Sequence, residues 1–218
     1  MRPLRPGILA MAAAPMGGPS MAFLGTQSLV QGQTITVNNV NIGTPGNRVI
    51  IITTYVFGLA VPASATINGI AATTVTIFQS TRNLRSTIYY AYVPTGTSAT
   101  VVMSYNTSAN SQWMAVYAVY DLASAVAYAT QTMVWNTNNP TGVSTSVNVA
   151  APGFAFGTAF TADTAPYNFG ASSGLTVNAS FSGNQIIAAS APTPSSGALT
   201  WSIAGNFNAT SLVMASFG

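Results

Sequence analysis

The sequence predicts an all-β protein, an antiparallel β-sandwich of jelly-roll type with an extended N-terminal arm. Three observations carry that expectation. Beyond about residue 22 the chain is dominated by Val, Ile, Thr, Ser, Asn, Ala and Gly, the composition of short strands joined by tight turns. Turn signals recur at short intervals, and no long stretch shows a helical period. Two runs, RVIIITTYVFG and QWMAVYAVYD, are apolar on both faces of an extended chain. Each therefore needs cover on both sides, from a second sheet, a loop or a neighbouring subunit.

The first 21 residues, MRPLRPGILAMAAAPMGGPSM, imitate a secretion signal poorly. Pro3 and Pro6 flank Arg5, the apolar section is short, and Pro15, Gly17, Gly18 and Pro19 favour an extended chain. The segment is expected to be a docking arm. Arg2 and Arg5 would anchor it, while Ile8, Leu9, Met11, Met16 and Met21 would fill apolar grooves on a neighbour. Residues 22–218 then form the sandwich domain.

Strands are expected at 34–37, 49–57, 65–67, 74–78, 86–93, 99–105, 112–120 and 127–134. Further strands follow at 144–149, 154–161, 175–181, 185–189, 198–203 and 211–217. Pro45-Gly46, Asn68-Gly69, Pro94-Thr95-Gly96, Pro152-Gly153 and Ser182-Gly183-Asn184 supply the turn chemistry between them. An internal echo links the two halves. QTITVNNVNIGTPGNRVIIITTY matches VSTSVNVAAPGFAFGTAFTA as strand, Pro-Gly turn, strand, and ATVVMSYNTSANSQWMAVYAVYDL matches LTWSIAGNFNATSLVMASFG. Either a unit is duplicated over roughly 33–122 and 143–217, its halves packing as one sandwich, or biased composition makes unrelated strands look alike.

Charged residues make up 3% of the chain, against roughly 25% in an ordinary domain. They are Arg2, Arg5, Arg48, Arg82, Arg85, Asp121 and Asp163, with no Lys, Glu, His or Cys. General acid–base work, a Ser-His-Asp relay and thiolate or imidazole metal sites all lack their groups, so no catalytic residue, metal or cofactor is expected. A paired-carboxylate hydrolase would have to bring Asp121 and Asp163 into one cleft; each equally suits a turn or a strand end. The formal net charge of +3 reflects a scarcity of acids, not a basic surface. Only Arg82 and Arg85, followed by Tyr89, Tyr90 and Tyr92, approach a patch, too small for nucleic-acid binding. No apolar run reaches the roughly 18–20 residues of a membrane-spanning helix.

ATINGIAATTV, YVPTGTSATVVMSY, QWMAVYAVYDL and VNVAAPGFAFGTAF occur in that order. Together they resemble a family of phage and prophage virion proteins, over roughly residues 24–218. The shared features are turn and packing signatures, a T-I-N-G strand, a V-P-T-G-T turn, an aromatic strand ending in D-L and a terminal A-S-F strand. Here the later hairpin reads Ala151-Pro152-Gly153-Phe154, and Gln112-Trp113 replaces a more polar start. The resemblance implies a structural component of a tailed-phage particle, with no catalytic residues to carry over.

The sequence therefore points to a non-enzymatic virion protein made in the host cytoplasm, decorating or cementing a capsid or forming a tail or fibre appendage. Its expected partners are copies of itself, as a trimer by analogy with jelly-roll appendages, and a major capsid or tail protein. The alternative is a secreted carbohydrate-binding or adhesion module. A host surface glycan or partner would then meet Arg82, Arg85, Trp135, Tyr167 or Trp201.

Overall fold

The computed structural model describes residues 18–110, 113–135, 142–161, 169–181, 186–191, 195–205 and 209–218. These residues are all β. The first half runs through β1 Ser20–Ser28, β2 Gly32–Asn41, β3 Arg48–Phe57, β4 Pro62–Ile67, β5 Ile70–Ala71, β6 Thr73–Gln79, β7 Leu84–Tyr92, β8 Ser98–Ala109 and β9 Trp113–Tyr120. The second continues with β10 Ala129–Trp135, β11 Val143–Thr161, β12 Phe169–Ser173, β13 Thr176–Phe181, β14 Ile186–Ser190, β15 Ser195–Gly205 and β16 Thr210–Phe217. All paired strands are antiparallel.

The strand order repeats. In the first half, β1-β9-β3-β7-β6 form one sheet and β2-β8-β4-β5 the other. In the second, β10-β16-β11-β14-β13 form the counterpart of the first sheet, while the start of β11, β15 and β12 form the counterpart of the second. Position by position β1 answers to β10, β9 to β16, β7 to β14 and β8 to β15. The sequence echo thus corresponds to two units of the same topology.

The halves do not share one sandwich, as the sequence suggested; each is a two-sheet sandwich, and the two pack face to face into four layers. Alternation along the strands explains this. In β3, Ile50, Ile52 and Val56 point into the first sandwich, against Ile35, Ile67, Val101 and Met103. Val49, Ile51 and Tyr55 point the other way, onto Phe154, Phe156, Phe160, Val213 and Phe217 of the second half. A third core, around Trp201, Val147, Ile203, Leu212 and Met214, fills the second sandwich. The doubly apolar runs therefore obtain cover from a sheet on each side, and the middle interface is as apolar as a domain core.

The middle sheets stack with a definite sense. Edge strand β6 lies against β10 and β16, and β1 against β13, so strand order is reversed between them. Corresponding strand ends coincide: the rings of Tyr55, late in β3, and Phe160, late in β11, are 4.7 Å apart. Tyr90 and Phe217 meet at 4.9 Å near the opposite end. The repeats are thus related by a twofold-like axis running along the strands, which leaves the two ends of the molecule inequivalent.

Two sequence expectations are corrected here. Pro152-Gly153 is not a hairpin turn, because β11 continues through it; a register shift between Val149 and Gly153 carries the strand from one sheet into the other. Sheet corners and hairpins use the same turn residues, so sequence does not separate them. Met21 does not belong to an arm. It pairs with Val119 within β1 and packs against the middle core.

Candidate functional site

Four charged side chains fall among the described residues, and each has an assigned place. Arg48, 1% exposed, sits where β3 leaves a corner. Its Nε donates to Val93 O at 2.8 Å and one Nη to Thr95 O at 3.0 Å, and the Nη groups also donate to Thr44 O and Gly96 O. Ile42 N donates to Thr97 O and Gly46 N to Pro94 O across the same gap. The V-P-T-G-T segment is therefore one of two crossing loops held together by a buried guanidinium. The planar fork suits several carbonyls at once, which an ammonium would not.

Arg85 is 7% exposed, so it is not the open contact residue the sequence suggested. Its Nε donates to Ala60 O at 3.1 Å, and its Cζ lies 4.7 Å from the centroid of the Phe78 ring. Burial lowers its pKa from the ordinary guanidinium value. Arg82 is exposed on the turn between β6 and β7, where Gln79 Oε1 accepts from its backbone N–H at 2.8 Å. Gly58 N donates to Asn83 O at 2.8 Å, setting the β3–β4 turn beside this one. Asp121 is exposed at the far end of the strands, with a left-handed φ of 57°.

The remaining predicted contacts separate. Trp201 is fully buried, which corrects its expected role on a ligand surface. Its Nε1 donates to Ser172 Oγ at 2.8 Å, and its ring lies against Gly157. Trp135, at the end of β10, is 37% exposed and remains available. Arg2, Arg5, Ile8, Leu9, Met11, Met16, Tyr167 and Asp163 lie outside the described residues, as does Gln112. Among the described residues no three His, Cys, Asp or Glu side chains meet.

Two kinds of surface remain. Each outer sheet face carries a row of hydroxyls in direct cross-strand register. Thr34, Ser104 and Ser64 form one row in the first unit, and Ser144, Ser202 and Ser173 the corresponding row in the second. The second row borders an open depression of about 480 Å³. The ends of the strands are different: apart from Phe23, the large exposed hydrophobics of the described residues cluster there. Val30, Phe57, Leu59, Val61 and Trp135 lie at the Arg82 end. Ile70, Tyr92, Val126 and Tyr128 lie at the Asp121 end.

These features define an all-β protein of two β-sandwich units of the same topology, with few charged side chains. Comparisons with protein-family models, curated proteins and solved structures return no match to the chain.

Proposed function

We propose that the protein is a non-enzymatic structural component of a tailed-phage virion, decorating or cementing the capsid or forming a tail or fibre appendage. The observation that carries this reading is the state of its sheet edges. No charged side chain occurs in β1, β2, β5, β6, β10, β12, β13 or residues 143–149 of β11, which border the four sheets. A freely diffusing protein usually protects such edges with Lys or inward charges; permanent assembly protects them by covering them. The resemblance to phage virion proteins supports the same reading. So does the chain's alternation between its two sheets, which also favours a jelly-roll description of each unit.

Fractionation of particles into tailed and tail-free shells, with intact-mass measurement of the polypeptide, tests it. Recovery with shells supports the capsid version and recovery only with tails the appendage version. Absence from both fractions would remove the virion assignment.

The serine-bordered depression favours a second reading, a glycan-binding module, because uncharged hydroxyl rows suit sugar hydroxyls. Glycan-array binding that is lost on Ser202→Val would support it; an array without binding would remove it.

A further inference from the structure

We infer that this chain pairs edge to edge with a second copy of itself, through the side formed by β6, β10 and residues 143–149 of β11, about a twofold axis perpendicular to the sheets. The inference deepens the reading as an assembling structural protein and rests on it for the need to cover uncharged edges. Which edges pair follows from the register of the strands.

The four layers end in two rows of edge strands, and the rows differ. Along one side β2, β1, β13 and β12 lie next to one another. Each has its register shifted by extra residues: between Val37 and Val40, Phe23 and Gly25, Val177 and Ala179, and Phe169 and Ser172. Such bulges twist an edge away from any strand that could add to it. Along the other side β6 lies against β10 and β10 against β11. Ser216 Oγ stands 3.3 Å from Ala129 O of β10 and 2.6 Å from Asn148 O of β11. Here Thr73–Gln79, Ala129–Trp135 and residues 143–149 pair inward without a shift. The fourth edge on this side, β5, has two residues. The shared topology does not impose this difference: β1 and β10 are counterparts, as are β6 and β13, yet in each pair the bulged member stands on the first side.

A second copy fits the regular side better than another occupant. A single extended segment would cover one edge and leave two, whereas a second copy covers all three at once. β1, which the N-terminal residues precede, belongs to the bulged side. In self-pairing, a charge near the middle of an edge would meet its own copy, and none of the three segments contains one. Seven residues at about 3.4 Å each, in three layers about 10 Å apart, make a strip about 24 Å long and about 30 Å wide. That is roughly 700 Å² on each partner, close to the roughly 800 Å² of a stable interface.

The strands also define the axis. β6 and β10 both run toward the Arg82 end, since Thr73 lies opposite Tyr90, which meets Phe217 beside the start of β10, and Ile77 lies opposite Ser86, which bonds Ser211 opposite Val134. An axis along the strands would therefore set β6 on β10 in parallel. An axis perpendicular to the layers sets each edge antiparallel to its own copy, the arrangement of every strand pair in the molecule. One axis can serve both edges: Thr76, midway along β6, is one residue before Ile77, and Thr132, midway along β10, is two before Val134, so the midpoints stand at nearly the same height. The contact is isologous and closes as a dimer.

The chain contains no cysteine, so single cysteine variants of the full chain report the contact directly. A residue beside the axis faces its own copy at about 4.5–5.5 Å between Cβ atoms, near enough for a disulfide after a small shift. Under mild oxidation at least one of Thr130→Cys, Gln131→Cys and Thr132→Cys, all exposed on β10, should form a covalent dimer about tenfold faster or more than Thr26→Cys, exposed on bulged β1. In sedimentation velocity the wild type should form dimers. Thr132→Lys, which brings like charges together at the axis, should weaken them by about tenfold or more with circular dichroism unchanged, and Thr26→Lys should not. A wild type monomeric throughout, Thr26→Cys linking as fast as the β10 variants, or Thr132→Lys associating normally would overturn the self-pairing. So would a mixture of Thr76→Cys and Thr132→Cys that links mainly to each other, the mark of the parallel arrangement. Recovery in virions is a separate measurement, so failure of this contact and failure of the virion reading are distinguishable.

Discussion

Ser86 on β7 and Ser211 on β16, 125 residues apart in the chain, bring their Oγ atoms to 2.8 Å inside the interface between the two sandwiches. Ser86 Oγ also lies 2.9 Å from Ser211 O. Both side chains are fully buried, so the pair is a polar fastener in a largely apolar layer. Ser86→Ala removes one partner and leaves the other without it, at a cost of about 1–3 kcal/mol. The double variant Ser86→Ala/Ser211→Ala should cost less than the sum of the two single changes. A double-mutant cycle in urea checks this, and strict additivity would show that the pair does not couple the sandwiches.

Arg48 should be among the least replaceable side chains. Its guanidinium supplies donors to carbonyls of Thr44, Val93, Thr95 and Gly96, joining the loop before β3 to the loop after β7. Arg48→Met takes donors from the carbonyl of the buried Val93 and from those of the exposed Thr44, Thr95 and Gly96, and should cost about 1–3 kcal/mol. Arg48→Lys retains the charge but not the fork, so it should recover only part of the loss. Denaturant midpoints for the three proteins give the order, and equal stability of the lysine variant and wild type would disprove the role of the fork.

How much of this was legible in sequence depended on the kind of signal. The strands and most turns were readable because side-chain alternation and turn residues are local properties. β1 was not expected, because Phe23 and Gly25 flank a register shift that breaks its alternation, and its apolar residues follow a Pro- and Gly-rich segment. β11 was read as two strands because a corner and a hairpin both use Pro-Gly. The doubly apolar β3 and β9 announced two covering layers, yet nothing local specified that the second layer was the other half of the chain. At the candidate surfaces, Arg82 and Trp135 were found as exposed residues. Trp201 was misassigned although Leu199 and Ile203 share its face, an alternation that pointed inward. The apolar ends were missed because they assemble turns remote in sequence.

Gly157 and Trp201 form a second coupled pair. A Cβ at position 157 would lie 2.6 Å from Trp201 Cε3 and 3.2 Å from Leu175 Cδ1, so the indole ring occupies space that only glycine leaves open. Gly157→Ala should therefore destabilise by about 1–3 kcal/mol through overpacking. Combined with Trp201→Phe, the same change should cost less than it does alone, since the smaller ring vacates the contact. Thermal denaturation of the two single variants and the double variant measures the coupling; an alanine harmless beside the intact Trp201 would refute the contact.

The dependence of stability on pH should be one-sided. The sequence holds no histidine, so no imidazole titrates between about pH 5 and 9. Three tyrosines behave differently. Burial raises the pKa values of Tyr89, Tyr105 and Tyr117 above the ordinary phenol value, although the Tyr89–Tyr105 hydrogen bond and Arg85 partly oppose this at Tyr105. In the unfolded chain each loses its proton near about pH 10, while in the folded chain each retains it. Folded protein then binds more protons, so stability is fully present below about pH 10 and declines as pH rises above it. Each such phenol contributes a slope of up to about 1.4 kcal/mol per pH unit, hence up to about 4 kcal/mol per unit for all three. Tyr117→Phe should reduce that slope by about one third, because it removes one of the three phenols while its ring keeps its place in the middle interface; among the described residues the bond lost is Oη to Asn178 Oδ1 at 3.2 Å. Urea titrations at pH 7, 9, 10 and 11 measure both slopes; a stability unchanged above about pH 10 would show that these hydroxyls ionise in the folded state as they do in water.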